Sequence, residues 1–174
     1  MSRRVIVGVM GPGEGATPEV CVVARALGEK IARAGWVLLT GGRNVGVMRA
    51  ATVGAQQAGG LTIGILPEAT ATAAIPELDI VIPTGLGQAR NVINVLASQV
   101  VVGCGWGAGT TSELALAIKF GKPVIMLEMP LVAQTFFQHL SPLVQVVQTS
   151  DEVVDRIHEY LRHDNQSMSN EVYD

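Results

Sequence analysis

Charge is what this sequence has least of. Only 16% of its residues are Asp, Glu, Lys or Arg, and 4% are aromatic. A typical globular chain carries about 25% charged residues. The shortage means either an unusually bland surface or one partly buried against copies of itself; the second, a homo-oligomer, is the expectation. No lysine or arginine run occurs and the net charge is −3, so a phosphate-neutralising nucleic-acid surface is not expected. Cysteine is scarce too. Cys21 and Cys104 make no disulfide framework and point to a reducing cytoplasm. The three histidines, His139, His158 and His163, lack ligand spacing, so no metal site is expected. Apolar stretches are too short to span a bilayer. Met1-Ser2-Arg3-Arg4 before Val5–Met10 lacks the length and cleavage site of a signal peptide. There is no P-loop lysine motif and no nucleophile elbow.

What the chain does have is glycine, 20 residues in 174. The length suits one domain with a real core. Short apolar runs at Val5–Met10, Trp36–Thr40, Leu61–Leu66, Leu78–Ile82, Gln99–Cys104, Val124–Leu127 and Leu143–Val147 read as seven strands. Helical patterns run from Thr17-Pro18 to Gly35, from Val47 to Ala58, from about Gln88, from Thr110 to Gly121, and from a cap at Ser150. Pro130 to Pro142 reads as an irregular or short helical connection. Strands alternating with helices predict an α/β, doubly wound fold with a mostly parallel sheet of about seven strands. The domain is expected to fill residues 1–163, with a polar, disordered tail over 164–174.

Three glycine turns follow strands and precede helices. Right-handed crossovers put all three on one sheet edge, where such folds take ligands. The first contains Gly11 and Gly13 and matches G-x-G-x-x-A weakly, ending at Ala16. No acidic residue follows the second strand to hold a ribose, but Arg43 would suit a 2′-phosphate, so an NADP-binding protein stays open as a minor alternative. The second turn, Gly41-Gly42-Arg43-Asn44-Val45-Gly46, suits a bound phosphate, with Arg43 either contacting it or solvated in a loop. The third is Gly103 to Glu113, including Gly107, Gly109, Thr110 and Thr111. Its helix start offers free N–H groups and partial positive charge to an anion. Thr110-x-x-Glu113 also spells a capping box, which by itself would explain both residues. Alternatively, a carboxylate beside a phosphate cradle stabilises an oxocarbenium-like centre or activates water. Arg90 is the only charge between Asp79 and Glu113. It needs water, a partner or an anion, or it snorkels off the sheet. Cys104 reads as packing.

Gly41-Gly42 through Gly46-Val47-Met48, then Ile63-Gly64-Ile65-Leu66-Pro67, Arg90, and Gly107-Ala108-Gly109-Thr110-Thr111-Ser112-Glu113 resemble one superfamily. It holds the Lonely Guy cytokinin-activating phosphoribohydrolases and the molybdenum cofactor carrier proteins, and its members were formerly labelled lysine decarboxylase-like. The resemblance implies a Rossmann-like fold and a homotetramer or dimer. In the phosphoribohydrolases, segments like these bind the nucleotide phosphate, and an arginine and a glutamate, matched by Arg90 and Glu113, serve hydrolysis of the N-ribosidic bond. Here Arg43 replaces a third glycine, Asn91 a lysine, and Gly105-Trp106 a Pro-Gly pair. The Gly-Gly-Arg and Gly-Ala-Gly-Thr forms are more similar to the carrier branch. That branch implies binding of the molybdenum cofactor (molybdopterin) through pterin and phosphate, as carried ligand, with hand-over to molybdoenzymes. The expected function is therefore a carrier. The alternative is an enzyme releasing free base and ribose 5-phosphate from nucleoside 5′-monophosphates, with Arg90 and Glu113 catalytic. The expected binding residues are Gly11, Gly13, Gly41, Gly42, Arg43, Gly46, Arg90, Gly107, Gly109, Thr110, Thr111 and Glu113.

Overall fold

A computed structural model describes residues 4–171, with side chains over 4–163. In chain order the described elements are β1 (Ile6–Met10), α1 (Pro18–Arg33), β2 (Val37–Thr40), α2 (Gly46–Gln57), β3 (Thr62–Leu66) and β4 (Ile80–Pro83). A 3₁₀ turn at Gly87–Arg90 then leads into α3 (Asn91–Ala97). They continue with β5 (Val100–Cys104), α4 (Ala108–Lys119), β6 (Val124–Leu127), α5 (Leu131–Leu140), β7 (Val144–Val146) and α6 (Ser150–Glu171). The strands form one parallel sheet in the order β4-β3-β2-β1-β5-β6-β7. The order reverses between β1 and β5, which opens a crevice beyond their carboxyl ends.

The apolar strands follow from being covered on both faces. Along β5, Val100, Val102 and Cys104 pack with Leu27 and Ile31 of α1, Ala51 of α2 and Ile157 of α6. Val101, between them, packs with Val95 of α3, Leu114 of α4 and Phe137 of α5. Helices α1 and α2 touch backbone to backbone. A Cβ on Gly28 would lie 2.0 Å from the Ala51 carbonyl oxygen, and one on Gly54 2.0 Å from that of Arg25. No helix among the described residues is long and apolar enough to cross a membrane.

The seven strands lie where the sequence places them, shifted by a residue or two at their ends. Of the two readings of Pro130 to Pro142 the helical one holds: residues 131–140 are a regular helix, in which Ala133 and Phe137, four apart, bury one stripe. Helix α6 is capped by Thr149, not Ser150. Thr149 Oγ1 accepts from the Glu152 N–H at 3.2 Å while Glu152 Oε2 accepts from the Gln148 N–H at 3.2 Å. The helix continues to Glu171, past the expected domain end at 163, and residues 172–174 of the expected tail lie outside the described residues.

Candidate functional site

All three glycine turns meet in one cleft of about 420 Å³ at the switch point. That volume is within the usual range for small-molecule sites. The first turn lines it from Gly11 to Gly15, the second with Gly41 and Arg43, and the third from Trp106 to Thr110. Arg90 at the end of the 3₁₀ turn, Asn91 of α3 and Glu113 of α4 line it as well.

The turns lock onto one another. The Val47 N–H donates to the Pro12 carbonyl at 3.1 Å. Gly46 has φ +54, and a Cβ there would lie 2.1 Å from the Gly13 carbonyl oxygen, so only glycine fits. Gly42 backs onto Gly64, and Thr111 turns toward Trp106 and Gly107. Gly42, Gly46 and Thr111 therefore shape the walls from behind. The other nine expected residues line the cleft itself.

At the third turn the helix starts earlier than the capping pattern implies. Gly107, extended at φ −169, is the N-cap, and α4 begins at Ala108. Thr110 is therefore the third helical residue and Glu113 sits in the second turn. The cap has no side-chain hydrogen bond, so the capping-box reading of Thr110 and Glu113 is overturned. Thr110 Oγ1 is instead buried with no hydrogen-bond partner among the described residues. Early N–H groups of α4 have no intrahelical acceptor and border the cleft.

Glu113 lies inside, 6% exposed, against Arg90 at 7%. Arg90 Nη1 donates to Glu113 Oε1 at 3.2 Å and to Asn91 Oδ1 at 2.6 Å. Asn94 Nδ2 donates to the same Glu113 oxygen at 2.8 Å. Asn91 Nδ2 in turn donates to Ser112 Oγ at 3.2 Å. Arg90 is thus not a snorkelling surface residue but one end of a buried ion pair. Burial pushes the Glu113 carboxyl up, against the Asn94 hydrogen bond and the Arg90 charge. Burial also pulls the Arg90 guanidinium down, against the charges of Glu113 and Glu68. Arg90 Nε and Asn94 Oδ1 stay unpartnered among the described residues.

Gly41 makes room for Arg90. A Cβ there would lie 2.6 Å from Nη2. Arg43, half-exposed, pairs through Nε with Glu68 Oε1 at 3.3 Å. The loop that carries Glu68 hydrogen-bonds along the second turn, with Asn44 N–H on Ala73 and Ile75 N–H on Gly42. Cys104 is fully buried in the apolar core and its thiol is pushed up to about 12, as packing requires.

Sequence reasoning missed Asn94 and Glu68. Asn94 had a signal: Arg90, Asn91 and Asn94 form a polar stripe on an otherwise apolar helix. Glu68 had none, since a carboxylate in an Ala/Thr loop is unremarkable. Among the described residues no three His, Cys, Asp or Glu side chains group as a metal site.

The family model of the SLOG cluster4 family matches residues 4–156. The chain belongs to the SLOG cluster4 family. Among solved structures, this SLOG cluster4 chain is similar to the molybdenum cofactor binding protein from the phototrophic bacterium Rippkaea orientalis. The identity is 51%, the match covers 92% of this chain and 99% of that one, and the TM-score is 0.91. It is similar to the molybdenum cofactor carrier protein of Chlamydomonas reinhardtii at 44% identity, with the same coverage and a TM-score of 0.88. A cytokinin riboside 5′-monophosphate phosphoribohydrolase of Mycobacterium marinum is 31% identical over 100 residues, 56% of this chain and 53% of that protein. The family resemblance and the α/β fold read from the sequence both hold. The carrier likeness spans nearly the whole chain, and the hydrolase likeness about half.

Proposed function

We propose that this protein is a carrier that binds the molybdenum cofactor as cargo. The residues present fit such a group. Thr110 Oγ1 is a buried polar atom without a partner among the described residues, and at Gly109, where an added Cβ would meet nothing within 4 Å, the backbone is open to a close approach. The cofactor's phosphate would sit on the N–H groups of α4, near Thr110, with Arg43 as a charged contact. Gly11 and Gly13 would close the opposite wall, and Arg90 would add positive charge from below. The cofactor brings its own redox chemistry, and the chain's residues bind and shield it.

One observation carries the reading: the helix start of α4, with unpartnered Thr110 Oγ1, borders the cleft, while one oxygen of the acid beside it is held by two donors. Glu113 Oε1 already accepts from both Arg90 and Asn94. Asn91, where phosphoribohydrolases have a lysine, brings no second cation. The solved carriers, matched over 92% of the chain, support the same conclusion.

The second reading is a phosphoribohydrolase, favoured by the raised carboxyl of Glu113 at the cleft. Incubation of the wild type with a panel of nucleoside 5′-monophosphates separates the two. The carrier releases no free base from any of them and binds the cofactor. Base release abolished by Glu113→Ala, with ligand binding retained, would establish the enzyme instead.

The proposal includes a homotetramer or dimer that hands its cargo to molybdoenzymes in the cytoplasm. Leu131, Val132, Phe136 and Leu140 of α5 are exposed apolar side chains suited to a subunit contact. Sedimentation at micromolar concentration is expected to find no monomer.

A further inference from the structure

The chain has two tryptophans, and they are used differently. Trp36 is 7% exposed, against the His158 ring at a centroid distance of 4.7 Å. Trp106 is 48% exposed, on the wall of the cleft. Its ring is nonetheless fixed. The indole Nε1 donates to Thr111 Oγ1 at 2.9 Å, and that hydroxyl donates to the Gly107 carbonyl at 3.0 Å. The two bonds hold the nitrogen edge of the ring against the first turn of α4. Behind it, Gly105 at φ +75 and Gly107 approach Pro12 of the first turn.

An exposed indole with its one polar atom tied to the protein is already ordered. A flat ligand landing on it avoids most of the cost of fixing a side chain. The N–H groups of Ala108, Gly109 and Thr110 follow Trp106 within four residues. The same short segment thus presents an aromatic face and an anion-binding helix start. A ligand served by both has a planar heteroaromatic ring and a phosphate.

We infer that Trp106 is the stacking platform for the pterin ring of the cargo, with Thr111 positioning it. The inference rests on the carrier reading and assigns the heterocycle, as distinct from the phosphate, to a residue. The Thr111–Gly107 link explains why Thr111 faces away from the cleft: it orders the indole.

The test compares two probes, neopterin monophosphate and ribose 5-phosphate, the second lacking the pterin. Titration calorimetry with wild type, Trp106→Ala, Trp106→Phe and Thr111→Val gives the affinities, and pterin fluorescence reports stacking. Trp106→Ala is expected to weaken neopterin monophosphate about 5- to 150-fold, the range for removing one stacked aromatic. It leaves ribose 5-phosphate within about twofold, which also shows that the cleft is folded. Trp106→Phe retains most of the pterin affinity, and Thr111→Val falls between. Fluorescence quenching on binding, which needs an electron-rich ring in contact with the pterin, is present in the wild type and lost with Ala. Equal losses for both probes, or unchanged pterin affinity in Trp106→Ala, overturn the inference alone. A wild type that binds neither probe overturns the carrier reading and the inference together.

Discussion

Glu113→Ala tests the buried pair directly. In the wild type both side chains are under 10% exposed and 3.2 Å apart. Alanine removes the acceptor of two donors at once, Arg90 Nη1 and Asn94 Nδ2. Arg90 keeps only Asn91 Oδ1 among those acceptors and becomes a buried charge without a paired carboxylate, the Glu68 charge alone remaining to offset it. Breaking a buried pair from one side costs about 3–5 kcal/mol. For a domain of this size that lowers Tm by about 6–20 °C. The pair as a whole is a different matter, because desolvation offsets most of its attraction. Replacing both partners by apolar groups of similar volume is often neutral or stabilising. Arg90→Met combined with Glu113→Leu is therefore expected to recover at least half of the single-variant loss. Thermal and urea unfolding, followed by circular dichroism, give both numbers. A loss below about 1 kcal/mol in Glu113→Ala would show that water already screens the pair. Additive losses in the double variant would also refute the argument, by showing that the two residues act independently.

Other expectations follow from neighbouring geometry. Glu113 has a carboxyl raised above its ordinary 4.5, so the folded state holds its proton more tightly than the unfolded state. Its contribution is fully present below 4.5 and is lost as pH rises through the raised value, so Glu113→Gln should flatten that decline in urea titrations across pH. Gly46→Ala combines a left-handed backbone with a Cβ 2.1 Å from a carbonyl oxygen, and about 2–5 kcal/mol of stability should disappear in chemical unfolding. Arg43→Ala breaks only a half-exposed pair with Glu68. Stability should change by less than about 1 kcal/mol, while calorimetry with ribose 5-phosphate registers weaker binding.

The inner strands β1, β2, β3 and β5 were legible because each is a short apolar run closed by glycine or proline, and burial on both faces leaves no polar alternation to confuse. The meeting of the three glycine turns was legible from connection handedness alone. Residue roles were less so. The sequence contains Thr-x-x-Glu twice near a helix start. At Thr149–Glu152 it makes a reciprocal cap; at Thr110–Glu113 it makes none, because the extended Gly107 starts the helix three residues early. Local pattern cannot separate the two, since what differs is whether Arg90 and Asn94 wait across the helix pair. Those partners are 23 and 19 residues away in sequence. The pairing of Arg43 with Glu68 is hidden for the same reason: β3 intervenes between them.

The crossing of α1 over α2 has a consequence for reading mutational data. These helices leave the first and second glycine turns, and they touch through Gly28 and Gly54 with no space for a methyl group. A side chain at either glycine would lever one turn away from the other and widen the cleft from outside it. A deep mutational scan scored on ligand binding would thus rank Gly28 and Gly54 beside Gly41, although neither lines the cleft. Such hits would report the alignment of the two walls, and a ligand footprint drawn from the scan alone would extend well past the ligand.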